Sequence, residues 1–211
     1  MAPERSSHLP EPRSPDELLT RQDTLQFEAD EVVADLGLDG LLAAVGLPLR
    51  VGSSALGLMV WRDIDLTVLC PRLDLQEIFA LGAQLAAHPC VRGLQFRNDT
   101  GHWNTDPLYP DGIFWGVDYR SEAGENWELD IWFIHEDTRQ PDMRHLETIP
   151  TRLTPETRLA ILTLKDVWRR TPDYGKQVSS YDVYTAVLDH GARSLADFER
   201  YLAAKERGET G

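Results

Sequence analysis

The sequence contains little cysteine and no long apolar run. Two cysteines, Cys70 and Cys90, occur among 211 residues; they are too few for a disulfide scaffold and lack the spacing of metal-binding cysteines. Both lie in apolar, strand-like segments, so we expect buried free thiols. No stretch approaches the roughly 20 apolar residues of a membrane span, and the N-terminus has no apolar leader. We therefore expect a cytoplasmic protein.

Positive charge is also scarce. The chain has 21 Lys and Arg against 35 Asp and Glu, a formal net charge of -14. Sequence-independent binding to nucleic acid depends on basic side chains that neutralise phosphates, so this composition argues against it. An acidic surface is compatible with a cationic small substrate, and equally with simple solubility.

Several common catalytic signatures are missing. The sequence has no Gly-x-x-x-x-Gly-Lys phosphate loop, no Gly-x-Gly-x-x-Gly dinucleotide signature and no Gly-x-Ser-x-Gly nucleophile turn. Its six histidines show no metal-binding spacing, so we interpret them as structural or surface residues. Nothing therefore indicates a P-loop, a dinucleotide-binding site or a serine nucleophile of the Gly-x-Ser-x-Gly type.

Hydrophobic periodicity indicates an α+β (or α/β) core followed by helices. The clearest strand patterns lie at 62–70, 113–119 and 127–134. A polar turn at 121–125 predicts that the last two form a hairpin. Helix patterns dominate the C-terminal part, at 155–170, 181–190 and 195–207. We predict three regions: a disordered tail (1–13), a core (14–150) and a C-terminal helical subdomain (151–211).

Two predicted strands carry carboxylates at alternate positions. Residues two apart on a strand share a face, so Asp63 and Asp65 point together while Ile64 points into the core. Glu128 and Asp130 share a face of the later strand in the same way. If the two strands are neighbours, three carboxylates meet, and oxygen ligands without histidine or cysteine favour Mg²⁺ or Mn²⁺. Glu128 and Asp130 both remain candidates for the third carboxylate; Asp130 is preferred because its apolar neighbours match those of Asp65.

A glycine–serine pair precedes the first acidic strand. Gly52 follows a short strand pattern at 47–51 and precedes a possible short helix at 55–60. A glycine at such a turn lets the backbone approach a phosphate closely, and Ser53 offers a hydroxyl donor.

The segment at 98–112 is long, polar and aromatic. Loops of this length are often functional. It is expected either to cover an acceptor pocket, with Trp103 and Tyr109 beside acids that attract a cation, or to be a variable surface excursion. The acids in question are Asp106, Asp111 and Asp118.

Together, the Gly52-Ser53 pair, Asp63-Ile64-Asp65 and a later strand acid resemble the nucleotidyltransferase superfamily related to DNA polymerase beta. The similarity is greatest to its minimal and antibiotic nucleotidyltransferase branches, and it covers residues 47–134. It implies a mixed β-sheet flanked by helices, with a C-terminal helical subdomain.

The resemblance also implies roles for individual residues. Gly52 and Ser53 would bind nucleotide phosphates, and Asp63 and Asp65 would ligate metal, with Asp130 completing the site. Basic residues of the helical subdomain commonly contact the triphosphate in this family, which makes Lys165 a further nucleotide-binding candidate.

The implied activity is transfer of a nucleoside monophosphate, AMP in the first place, from an NTP to an acceptor hydroxyl by a two-metal mechanism. A cationic small molecule such as an antibiotic fits the acidic composition as acceptor. Alternatives are a toxin-type enzyme acting on tRNA or protein, a non-catalytic nucleotide-binding regulatory module, and a metal-dependent phosphohydrolase. The intact carboxylates count against the regulatory module, and Gly52-Ser53 counts against hydrolysis.

Overall fold

Five strands form one mixed sheet in the computed structural model, which describes residues 9–107 and 109–209. Their order across the sheet is β1-β2-β5-β4-β3. Only β2 and β5 run parallel; the other neighbouring pairs are antiparallel. The strands are β1 (Leu47–Val51), β2 (Asp63–Cys70), β3 (Val91–Asp99), β4 (Gly112–Arg120) and β5 (Asn126–His135).

Alternation of apolar and polar residues decides which sheet face is buried. On β2, Ile64, Leu66 and Val68 are fully or almost fully buried, while Asp63 and Asp65 lie on the opposite face. The core-facing residues of β4 and β5 follow the same period, and the rings of Trp115 and Phe133 meet edge to face with centroids 4.5 Å apart. One face therefore packs into the main core, and the other carries the polar side chains beside a small apolar cluster of Val51, Ile134 and Met143.

Helices pack on both faces of the sheet; the first, second and fourth cover the buried face, and the third and fifth lie on the opposite face. These are α1 (Pro15–Asp35), α2 (Leu38–Leu42), α3 (Gly52–Leu56), α4 (Leu75–Ala86) and α5 (Pro141–Thr148). The second half of α1 and the apolar side of α4 contribute Leu25, Ala29, Ile78 and Leu81 to the core. The Asp74 side chain caps α4 by accepting hydrogen bonds from the amides of residues 76 and 77.

Three further helices end the described chain: α6 (Pro155–Arg169), α7 (Ser180–Leu188) and α8 (Leu195–Glu206). Each begins with a reciprocal cap, in which Thr154, Ser179 or Ser194 exchanges hydrogen bonds with the third residue of its helix. Among the described residues, Asp23–Thr151 form one compact unit, and the residues before and after that segment form a second. None of the helices in the described ranges combines the length and apolar character that crossing a bilayer requires.

The predicted α+β class and the mixed sheet flanked by helices are confirmed. The 112–120 and 126–135 strands form the predicted hairpin. The short helix after β1 begins at Gly52 rather than at 55, and α5 was not predicted. The first eight residues of the predicted tail lie outside the described residues.

Candidate active site

The parallel pairing of β2 with β5 aligns the predicted acids. Asp65 is the register partner of Asp130, and Asp63 is the partner of Glu128. Register partners on neighbouring strands point to the same face, and their Cα atoms lie about 5 Å apart. Asp130 therefore lies beside Asp65, and Glu128 one row away, beside Asp63. On β4, Asp118 extends the Glu128 row, since these two residues are also register partners.

Gly52 lies directly against Asp65. Its φ angle is +63°, a conformation that side-chain-bearing residues rarely adopt. A Cβ atom added to Gly52 would also come within 2.0 Å of Asp65 Oδ2, a distance that no non-bonded pair tolerates. Both the backbone conformation and the available space require glycine. The β1–α3 turn, with Ser53 buried next in the chain, therefore lies beside the acid pair.

The environment of Asp130 resists negative charge. Burial raises the pKa of the Asp130 carboxyl, the neighbouring Glu128 carboxylate raises it further, and the Arg97 guanidinium opposes both by lowering it. A cation placed beside Asp65 and Asp130 would remove the cost of holding these carboxylates together.

Asp65 and Asp130 open onto a cavity of about 530 Å³, a volume within the usual range for small-molecule sites. Asp63 is not among the residues that line it. The lining comes from β1, β2, β3, β5 and the β3–β4 loop: Val51, Asp65, Leu66, Thr67, Arg97, Asp99, Trp103, Asn104, Thr105, Asp106, Tyr109, Pro110, Asp130 and Trp132.

The β3–β4 loop forms one wall of this cavity. The Asp111 carboxylate accepts hydrogen bonds from the Gly101 amide at 2.9 Å and the Asn104 side-chain amide at 3.1 Å. Both bonds lower the pKa of the Asp111 carboxyl, and the bond from Gly101 has the larger effect. Asp111 thus ties the two ends of the loop together, while Trp103 is 62% exposed and Asp106 faces the cavity. Leu108 lies outside the described residues.

No protein-family model matches the sequence, and no curated protein matches it. Many solved structures match most of the chain, and three of them follow. A cytoplasmic RNA terminal U-transferase is 20% identical, with a TM-score of 0.51 over 82% of this chain and 54% of that chain. Cid1 poly(U) polymerase, a mutant bound to MgATP, is 18% identical, with a TM-score of 0.53 over 83% and 56%. CdnC from E. coli MS115-1 with ATP is 17% identical, with a TM-score of 0.51 over 89% and 67%.

The chain has a nucleotidyltransferase fold. The fold that the resemblance implied is thereby confirmed. The present chain spans little more than half the length of the two uridine-transferring structures, 54% and 56%.

The nucleotidyltransferase fold implies a divalent metal, and the cavity residues fit one. Asp65 and Asp130 offer oxygen ligands only, and no histidine or cysteine lines the described cavity, which favours Mg²⁺ or Mn²⁺. Among the described residues, only Asp35, His88 and Cys90 bring three ligand atoms within 4.8 Å of one another. The Asp63, Asp65 and Asp130 carboxylates are therefore more widely spaced than that. This spacing is compatible with two ions about 4 Å apart, because each carboxylate then needs to reach only one of the ions.

Arg97 is a cavity residue that the sequence did not reveal. Its guanidinium lies 4.7 Å from the Phe114 ring centroid and 5.3 Å from that of Trp132, and it forms an ion pair with Asp99 at 2.7 Å. Aromatic faces and a carboxylate thus hold the one basic side chain among the described residues that line the cavity. Its position depends on the strand order β5-β4-β3, which the sequence pattern did not predict.

Lys165 lies in the helical unit, on α6. It is fully buried, and its ammonium donates a hydrogen bond to the Tyr184 hydroxyl at 3.3 Å, with the ring centroid 5.5 Å away. The predicted contact of Lys165 with a triphosphate stays a prediction.

Proposed function

We propose that this protein transfers a nucleoside monophosphate from a metal-bound NTP to an acceptor hydroxyl. One geometric arrangement carries the proposal. Asp65 and Asp130 are register partners on parallel strands, and both open onto a cavity of nucleotide size. Gly52 packs directly against Asp65. A solvated strand face with incidental acids would not require a glycine turn packed against one of them. The nucleotidyltransferase fold supports the same chemistry.

The proposed roles follow from position for Asp65 and Asp130, and from the family resemblance for Asp63. Asp63 and Asp65 bind the divalent ions, and Asp130 completes the site next to the acceptor. The amides of Gly52 and Ser53 contact the phosphates. Mg²⁺ or Mn²⁺, when bound, neutralises phosphate charge and makes the acceptor hydroxyl more acidic.

The chemistry is a single displacement. The acceptor oxygen attacks the α-phosphorus, and the bond from that phosphorus to the oxygen bridging to the β-phosphate breaks. Pyrophosphate leaves with the electron pair, and the hydroxyl proton passes to Asp130 or to water. Positioning by the carboxylates and backbone amides provides most of the rate enhancement expected for phosphoryl transfer.

We further propose ATP as donor and a cationic small molecule, such as an aminoglycoside, as acceptor. Asp99 and Asp106 add negative charge to the cavity wall, and Trp103 and Tyr109 offer aromatic faces to a cation. The net charge of -14 favours the approach of cations over that of polyanions. An RNA acceptor is the second candidate, because two of the matched structures are named for terminal uridine transfer and poly(U) synthesis.

Turnover with α-labelled NTPs tests the proposal. The full-length protein is incubated with each NTP, Mg²⁺ or Mn²⁺, and separate pools of aminoglycosides, tRNA and proteins, beside an Asp65→Asn variant. Metal-dependent pyrophosphate release and a labelled acceptor, both absent from the variant, are expected. Free phosphate would instead establish hydrolysis. Nucleotide binding without turnover in every pool would indicate a regulatory module.

A further inference from the structure

A second cluster of ligand-type side chains lies on the core-facing side of the sheet, away from the acid pair. Asp35 is the last residue of α1, and His88 and Cys90 belong to the connection between α4 and β3. One ligand atom from each lies within 4.8 Å of the other two. These residues are distant in sequence, and the fold alone brings the carboxylate, the imidazole and the thiol together.

The spacing suits an ion better than a direct contact. Asp35 Oδ2 and His88 Nε2 are 3.8 Å apart, too far for a hydrogen bond. Around a tetrahedral ion with bonds of 2.0–2.3 Å, neighbouring ligand atoms lie roughly 3.3–3.8 Å from one another. The pair is therefore already near the separation that a shared ion would set.

The neighbouring Tyr119 holds one of the ligands in place. The Tyr119 hydroxyl donates a hydrogen bond to Asp35 Oδ2 at 2.7 Å, the kind of outer contact that orients a carboxylate ligand. The Cys90 amide donates to His88 Nδ1 at 3.3 Å. When Nε2 binds the ion, the imidazole proton lies on Nδ1, which then no longer accepts the hydrogen bond from the Cys90 amide. The metal–ligand bonds replace this long contact.

Access from solvent is open. Asp35 is exposed, and His88 and Cys90 are only half-buried. The other cysteine differs: Cys70 is fully buried, and burial raises the pKa of its thiol to about 11. Cys90 is thus the thiol that an ion can reach.

We propose that Asp35, His88 and Cys90 form a Zn²⁺ site with water as fourth ligand. A sulfur, nitrogen and oxygen donor set selects Zn²⁺ over Mg²⁺, in contrast to the all-oxygen set at Asp65 and Asp130. On binding, the Cys90 thiol releases its proton to solvent. The ion ties the C-terminal end of α1 to the α4–β3 connection and so stabilises the core unit. It is independent of the proposed transfer activity.

Cobalt spectroscopy tests the site directly. Metal-free, full-length protein in excess Mg²⁺, which fills the carboxylate site, is titrated with Co²⁺. One equivalent should produce a thiolate-to-cobalt charge-transfer band and visible bands of tetrahedral intensity. The Cys90→Ser variant should lack the charge-transfer band, and the matched Cys70→Ser variant should keep it. The absence of the band in the wild type, or its persistence in Cys90→Ser, overturns the proposal.

Two further variants keep the test independent of folding defects. Asp35→Asn changes an exposed side chain and should keep the thiolate band with weaker binding. Tyr119→Phe removes a hydroxyl that contacts Asp35 and Cys90 but leaves all three ligands, and it should weaken Co²⁺ binding by about 10- to 100-fold. Zn²⁺ should raise the melting temperature of the wild type but not that of Cys90→Ser. An unchanged wild-type melting temperature would also overturn the proposal.

Discussion

Gly52 and Asp65 occupy adjoining space so tightly that a Cβ on residue 52 would lie 2.0 Å from Asp65 Oδ2. The contact joins the turn proposed to bind phosphate to the strand proposed to bind metal. Its tightness makes the glycine a sharper test of the site than a charged residue, because its substitution changes neither the charge nor the ligands.

Gly52→Ala is expected to lower turnover by about 100-fold or more, since a displacement of about 1 Å can cost that much in phosphoryl transfer. The added methyl group must displace the Asp65 carboxylate, and the φ angle of +63° adds roughly 1–2 kcal/mol of backbone strain. Pyrophosphate release and the melting temperature are measured together. Gly40→Ala is the matched control, because a Cβ there meets no atom within 4 Å. Equal activities of the two variants would contradict the tight-turn account.

Neutral, isosteric substitutions can show whether Asp130 or Glu128 is the third carboxylate of the site. Asp130 is the partner of Asp65 and lines the cavity, whereas Glu128 is exposed beside Asp63. Asp130→Asn is expected to lower kcat about 100- to 1000-fold, which corresponds to about 3–4 kcal/mol of lost transition-state stabilisation. Glu128→Gln should change kcat less than about tenfold, as expected for a group without a metal contact. The reverse order would make Glu128 the third carboxylate.

The acceptor proposal predicts a selective effect at the cavity wall. Asp106→Asn should raise the KM for an aminoglycoside about tenfold, the loss expected for one charge-assisted contact. The KM for ATP should stay unchanged. Asp137→Asn serves as control, because that carboxylate is 86% exposed and does not line the cavity. An unaltered acceptor KM in the Asp106 variant would argue against a cationic acceptor bound there.

Cys70 makes stability depend on pH in the alkaline range. Burial raises the pKa of its thiol from the ordinary 9.0 to about 11. Above pH 9 the unfolded chain loses this proton while the folded protein keeps it, so the free energy of unfolding falls as pH rises from 9 to 11. The loss is at most about 3 kcal/mol.

Urea unfolding of wild type and Cys70→Ser on both sides of this interval measures the contribution. The variant should show a shallower decline than the wild type. Parallel declines for wild type and Cys70→Ser would show that the thiol is not held protonated by the core.

The strands were predictable because their side chains alternate. The alternation of Asp63 and Asp65 with Ile64 and Leu66 predicts both the β2 strand and its buried face, and the polar turn at 121–125 predicts the β4–β5 hairpin. The parallel pairing that places Asp130 beside Asp65 was a hypothesis, since periodicity within a strand carries no information about its neighbour.

Other features depend on tertiary contacts that the sequence does not encode locally. Arg97 becomes a cavity residue only because β3 follows β4 in the sheet. His88 and Cys90 showed no metal spacing alone, because the third ligand, Asp35, comes from a distant helix. The α5 helix was missed because it is short and its eight residues (PDMRHLET) are mostly polar, with Met143 and Leu146 as their large apolar side chains.

Crystals grown with Mn²⁺ and a non-hydrolysable ATP analogue provide the most direct test of the proposed active site. Anomalous scattering should place Mn²⁺ within about 2.2 Å of carboxylate oxygens of Asp65 and Asp130, with the triphosphate against Gly52 and Ser53. Mn²⁺ bound elsewhere, or a triphosphate remote from the β1–α3 turn, would contradict the proposed nucleotidyl transfer.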